Sequence, residues 1–93
     1  MLTLDTPLHI PAAISFASVE QDVALLNLQT NQYYLLDDVG ARLWSLLKDG
    51  KLLREAYQVL LEEYAVEPAR LEQDLLELLE RLKEQGLVEI LQA

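Results

Sequence analysis

The hydrophobic pattern of this chain changes period once, near Asp37, and that change constrains the fold more than any other feature. Before it, "AAISFASV" alternates, with Ile14 and Phe16 on one face and Ser15 and Ala17 on the other. Such alternation predicts a half-buried strand over about residues 12–18. "EQD" supplies a turn, and "VALLNL" (Val23–Leu28) reads as a second strand with both faces largely apolar. "QTNQ" follows, where Asn31 can take the left-handed conformation that a tight hairpin turn needs. "YYLL" is the third strand. Short connections favour pairing between neighbours, so the first half is expected to be an antiparallel three-stranded meander.

After Asp37 the spacing is helical. Val39, Leu43, Leu46 and Leu47 share one face of "DDVGARLWSLLKDG"; Asp37 or Asp38 is a good N-cap, and Gly50 ends the helix. Gly40 inside it costs about 1 kcal/mol relative to Ala, which close packing of the first turn on the sheet would explain. A second helix is predicted over about Leu53 to Tyr64, with Ala56, Leu60 and Tyr64 on one face. "AVEP" breaks it, and Pro68 suits the first position of a third helix that runs to about Gln85 and stops at Gly86. "LVEIL" is expected to add a short terminal strand. The predicted fold class is α+β, winged helix-turn-helix-like: a three-stranded antiparallel sheet followed by three helices, in a single domain over residues 1–93.

On the third helix, laid out at 100° per residue, Leu71, Leu75, Leu78 and Leu82 form a narrow core stripe. Leu79 and Leu76 widen it on one flank, and Asp74 and Arg81 sit together on the other. This apolar arc is broader than a simple seam needs. Either it is buried deeply, or one flank lines a groove left open for a partner.

Charge narrows the partner. The net charge is −9, from 7 Lys+Arg against 16 Asp+Glu. Such a balance opposes nucleic acid, whose phosphates must be neutralised by basic side chains, and equally opposes an anionic membrane surface. A helix–turn–helix beside a small sheet is a DNA-binding arrangement in many proteins, with the second helix of the pair in the major groove. Here that helix carries Glu72, Glu77, Glu80 and Glu84 on its outward positions. They would be repelled by phosphates, and the charge outweighs the fold analogy.

Catalytic chemistry is not visible. There is no cysteine, hence no thiolate metal site or thiol nucleophile. The single histidine, His9, lies before Ile-Pro and reads as a surface residue. Three dispersed glycines build no phosphate loop. Glu62-Glu63 and Asp37-Asp38 sit at helix ends, where carboxylates serve capping and the helix dipole. The expectation is a binding module that needs no metal or cofactor. No apolar run approaches the roughly 18 residues of a membrane span, and the N-terminus lacks the basic and apolar regions of a signal peptide; a cytoplasmic location fits.

The stretch "ALLNLQTNQYYLLDDVGARLWSLL", followed by "EEYAVEPARLEQDLLELLERL" and "GLVE", resembles the PqqD-like family, the leader-peptide-binding domains called RiPP recognition elements (for ribosomally made, post-translationally modified peptides). The resemblance covers about Val23 to Glu89. It lies in the order of parts: a strand ending Leu-Leu-Asn, a tight turn, two aromatics, an acidic or amide pair, Val-Gly-Ala, Trp-Leu-Leu, a proline-started helix and a terminal Gly-Leu-Val. Asp37 stands where the family commonly has asparagine, and Asn31 where glycine is usual; both suit their roles. The chain looks free-standing and most like the separate leader-binding protein of lasso-peptide systems, with the partner of a radical enzyme in pyrroloquinoline quinone biosynthesis as the nearest rival.

The resemblance implies three partners: the precursor peptide, a leader peptidase of the transglutaminase-like cysteine protease type, and an ATP-dependent lasso cyclase. It also implies how the leader binds, as a strand added to the third strand in the groove beside the third helix. By position, Gln32, Tyr33, Tyr34, Leu35 and Leu36 would supply the edge. Leu71, Leu75 and Leu78 would supply the apolar wall, and Asp74 and Arg81 the polar contacts.

Overall fold

The computed structural model describes residues 2–19 and 22–91. The alternating segments form β2 (Ile14–Val19), β3 (Asp22–Asn27) and β4 (Gln32–Leu36), after a short N-terminal strand β1 (Leu8–His9). The helical segments are α1 (Asp38–Lys48), α2 (Leu53–Glu63) and α3 (Pro68–Glu84), followed by β5 (Glu89–Ile90). β2, β3 and β4 make the expected antiparallel meander, with Leu25 between Phe16 and Tyr34 and Leu26 between Ser15 and Tyr33. The fold is α+β, a three-stranded antiparallel sheet followed by three helices. Part of the anticipated "EQD" turn, Glu20–Gln21, lies outside the described residues.

Two differences from the sequence reading stand out at the strands. Leu28 belongs to the hairpin turn rather than to a strand. The terminal strand β5 pairs antiparallel with β1, Leu8 opposite Ile90 and His9 opposite Glu89, and β1 has no sequence signal of its own. Leu2 and Leu4 extend this N-terminal segment into the core, and Asp5 clasps Arg54 at 2.7 and 3.0 Å.

Local chemistry sets the element ends. Asn31 has φ +60° in the β3–β4 turn, the left-handed conformation that asparagine tolerates better than most residues. Asn27, buried at the end of β3, accepts from the Gln29 and Thr30 N–H groups and donates a long 3.4 Å bond to the Gly86 carbonyl. Asp37 is the N-cap of α1, its side chain accepting from Gly40 N–H at 2.8 Å. α1 and α3 end alike: the Gly50 and Gly86 N–H groups bond back to Leu47 and Lys83, and those of Lys51 and Leu87 to Leu46 and Leu82. This is the paired pattern that a left-handed glycine allows after a helix, and both glycines have positive φ. Pro68 opens α3, and the Tyr57 hydroxyl donates to its carbonyl.

The core gathers Leu25 and Leu36 from the sheet, Leu43, Trp44 and Leu46 from α1, Ala56 and Leu60 from α2, and Leu71, Leu75, Leu79 and Leu82 from α3. Here one expectation is corrected. Leu79, assigned to a flank, is fully buried, whereas Leu78, assigned to the stripe, is only partly buried. The core axis passes nearer Leu75 than the Leu71–Leu78 edge, so the helix is rotated toward Leu79. A bidentate Arg42–Glu63 pair at 2.8 Å ties α1 to the end of α2 and holds the Glu63 carboxyl below its usual range. Beside it, burial and then the Asp38 carboxylate push the Tyr64 hydroxyl up.

Candidate functional site

β4 hydrogen-bonds to β3 on one side only; among the described residues no strand lies on its other side. An unpaired edge of this kind is normally blunted by charge, proline or a bulge. "QYYLL" has none of these, and its register with β3 runs one-to-one without interruption. The strand alternates as its period requires. Leu36 is buried and Tyr34 half-buried toward the helices, while Tyr33 (70% exposed) and Leu35 (59%) face outward.

Beside this edge runs a cleft of about 420 Å³ between β4 with the first turn of α1 and the face of α3. Tyr34, Leu35 and Leu36 line it from the strand; Leu71, Asp74, Leu75, Leu78 and Arg81 line it from α3. Leu71 and Leu75 are almost wholly buried and form its floor, Leu78 is the partly exposed apolar wall, and Asp74 and Arg81 stand exposed at the rim. Gln32 and Tyr33, from the same strand, are not on this lining.

Further residues border the cleft that the sequence reading did not assign to it: Asp37, Val39, Gly40, Val66, Arg70 and Glu77. Arg70 and Glu77 were recoverable, since they lie four before and three after Asp74 and so share its face. Val66 sits in the loop before α3, where no periodicity exists to point at it. Gly40 explains its own identity. A Cβ there would meet the Asp37 carboxylate at 3.2 Å, Leu78 at 3.3 Å and Leu36 at 3.4 Å. The first turn of α1 thus packs directly on both walls of the cleft, which a larger residue would push apart.

Two other depressions are less suited to an extended chain. One of about 740 Å³ lies between the N-terminal segment and the α1–α2 turn; another of about 480 Å³ lies over Leu2 and Leu76. Neither borders the open β4 edge. Among the described residues no three His, Asp or Glu side chains come together as metal ligands, and no helix is long and apolar enough to cross a membrane. His9 is exposed on β1. The outward side of α3 carries Glu72, Glu77 and Glu84 exposed, a surface that repels a phosphate backbone.

The chemistry such a cleft offers is backbone pairing along one wall and apolar contact along the other. Residues 22–88 match the family model described as coenzyme PQQ synthesis protein D (PqqD). Among solved structures, the chain is similar to TbiB1 in complex with the TbiA(beta) leader peptide, at 40% identity and a TM-score of 0.81 over 86% of this chain and 93% of that one. It is also similar to lasso peptide synthetase B1 complexed with the leader peptide, at 30% identity and a TM-score of 0.79 over 88% and 96% of the two chains. A search of curated proteins found no match. With the family model covering most of the described fold, and two relatives aligned over nearly their whole lengths, the chain belongs to the PqqD family and is a PqqD-like RiPP recognition element.

Proposed function

We propose that this protein is a non-catalytic adaptor of lasso-peptide maturation, a single domain over residues 1–93. It binds the leader segment of a ribosomally made precursor as an antiparallel strand added to β4. It then presents the precursor to a transglutaminase-like leader peptidase and an ATP-dependent cyclase in the cytoplasm. The observation that carries this reading is the unprotected β4 edge beside an apolar cleft, in a chain 40% identical to a protein solved with a leader peptide. β-Strand addition draws affinity from main-chain hydrogen bonds and choice from flanking pockets, and both parts are available here. Gln32 to Leu36 supply the edge, Leu71, Leu75 and Leu78 the apolar side, and Asp74 and Arg81 polar contacts.

The description of the matching family, coenzyme PQQ synthesis protein D, supports one second reading, a part in pyrroloquinoline quinone biosynthesis, which the resemblance implies would be that of a peptide chaperone for a radical enzyme. Two relatives solved with leader peptides, one of them a lasso peptide synthetase B1 and both covered almost completely, favour the first. The test is reconstitution. Precursor incubated with this protein alone stays uncleaved and unmodified. Adding the peptidase gives cleavage faster than the peptidase achieves alone, because the adaptor raises the local concentration of substrate. Turnover by this protein alone would sink the adaptor reading, and so would a peptidase rate indifferent to its presence.

A further inference from the structure

Backbone pairing is blind to sequence, and an apolar floor distinguishes only apolar from polar. The rim of the cleft carries more information. α3 borders it with four charged side chains at 4-3-4 spacing: Arg70, Asp74, Glu77 and Arg81. At 100° per residue they fall within about 60° of one another, so they form one longitudinal row. All four are exposed. At about 1.5 Å rise per residue, Arg70 and Arg81 stand about 16 Å apart along the axis, with the two acids roughly 6 and 10 Å from Arg70. Read along the helix, the row is positive, negative, negative, positive.

These arginines are held more loosely than others in the chain. Arg42 and Arg54 are each fixed in bidentate pairs with Glu63 and Asp5. Lys48 lies over the Phe16 ring at 3.4 Å. Arg81 makes no ion pair among the described residues, and Arg70 meets Asp74 only at 3.5 Å, with both side chains more than half exposed. A loose i,i+4 pair on an open surface contributes little stability, and a better-placed ligand carboxylate can replace it.

We propose that this row reads charge along the leader. The segment that fits carries two acidic side chains, four or six residues apart, with a basic or hydroxyl-bearing side chain between them. The inference rests on the adaptor reading, because it needs the peptide to lie extended beside α3. An extended strand advances about 3.3 Å per residue and repeats a face every second residue. Separations of four and six residues therefore span about 13 and 20 Å, which bracket the arginine spacing within the reach of those long side chains. The row has the same sign order from either end, so the rule holds for both directions of the peptide. Its consequence is register. A slip of two residues keeps every apolar side chain on its face but brings an acidic side chain toward Asp74 or Glu77.

The experiment titrates a synthetic peptide of the cognate precursor's leader into wild type, Arg70→Glu, Arg81→Glu and the matching Gln variants. The same titration is repeated with leaders in which each acidic residue is changed singly to Lys. Both arginines are exposed, and thermal melts confirm that the variants remain folded. Each reversal weakens the wild-type leader about three- to ten-fold at low salt, with smaller losses for Gln, and the losses shrink in high salt as expected for exposed pairs. Each reversal is rescued by a Lys leader at one position, and the two rescuing positions lie four or six residues apart. Affinities unchanged by both reversals would overturn the proposal, as would rescue at any other separation. A wild-type chain that does not bind the leader at all removes the adaptor reading itself.

Discussion

On one side of α3, Leu71, Leu75, Leu79 and Leu82 are all within 4% of complete burial. On the other, Leu78 is half covered and Arg70, Asp74 and Arg81 stand in solvent. The two sides belong to one helix and differ by about one residue's rotation. The first side is satisfied by the protein's own core, while the second ends at the outer edge of β4, which no strand among the described residues covers. The difference separates residues that hold the fold from residues free to bind, although both sets are rich in leucine.

The sharpest way to break this division is to truncate adjacent leucines. Leu79→Ala removes a fully buried side chain and is expected to cost about 2–5 kcal/mol of stability, read from denaturant melts, with leader affinity unchanged for the protein that remains folded. Leu78→Ala reverses the balance: a stability loss of roughly 1–2 kcal/mol, below that range because the site is partly open, and a clear loss of leader binding. If Leu78→Ala destabilises as much as Leu79→Ala and binding holds, the two sides are not functionally distinct.

A smaller effect sharpens the description of the open side. Replacing single leader amides by esters deletes one N–H and keeps the side chain. Each net hydrogen bond is worth about 0.5–1.5 kcal/mol, and in an antiparallel pair donors point at the neighbour only at alternate residues. Affinity should fall at every second position of the docked segment. A flat series would remove strand addition as the mechanism.

The smallest effect belongs far from the cleft. Arg54 holds the Asp5 carboxyl below its usual range through their hydrogen bonds. A depressed carboxyl contributes stability that is complete above its unfolded pKa and is lost as pH falls through the lower folded value. Asp5→Asn should therefore change the melt only slightly at neutral pH, flatten its response to acid, and leave leader binding intact. A binding defect in this variant would show that the N-terminal segment takes part in the site.

Much of this was legible in the sequence. The switch of period at Asp37 placed the sheet before the helices, and Pro68, Gly50 and Gly86 marked helix ends through backbone chemistry that needs no tertiary partner. What escaped depended on tertiary position. β1 is two residues long and exists only because β5 lies beside it. Leu78 and Leu79 flank the line through Leu71, Leu75 and Leu82 on opposite sides, so helical spacing alone admits either as core; the position of α1 and the sheet selects Leu79. Gln32 to Leu36 were assigned to a strand edge and all lie on β4, but which of them also line the cleft, Tyr34 onward, depends on where α3 crosses.

The two walls of the cleft are fastened to each other before any ligand arrives. At the hairpin, Asn27 links the β3–β4 turn to Gly86 just beyond α3. At the far end of β4, Gly40 seats the start of α1 between Leu36 and Leu78. A slot whose width is set at both ends loses little conformational entropy on binding, so the ordering cost falls on the peptide. Calorimetry of such a pair should show a favourable enthalpy opposed by the ordering of a flexible chain. Affinity would then be gained most readily by stiffening the leader rather than by reshaping the protein.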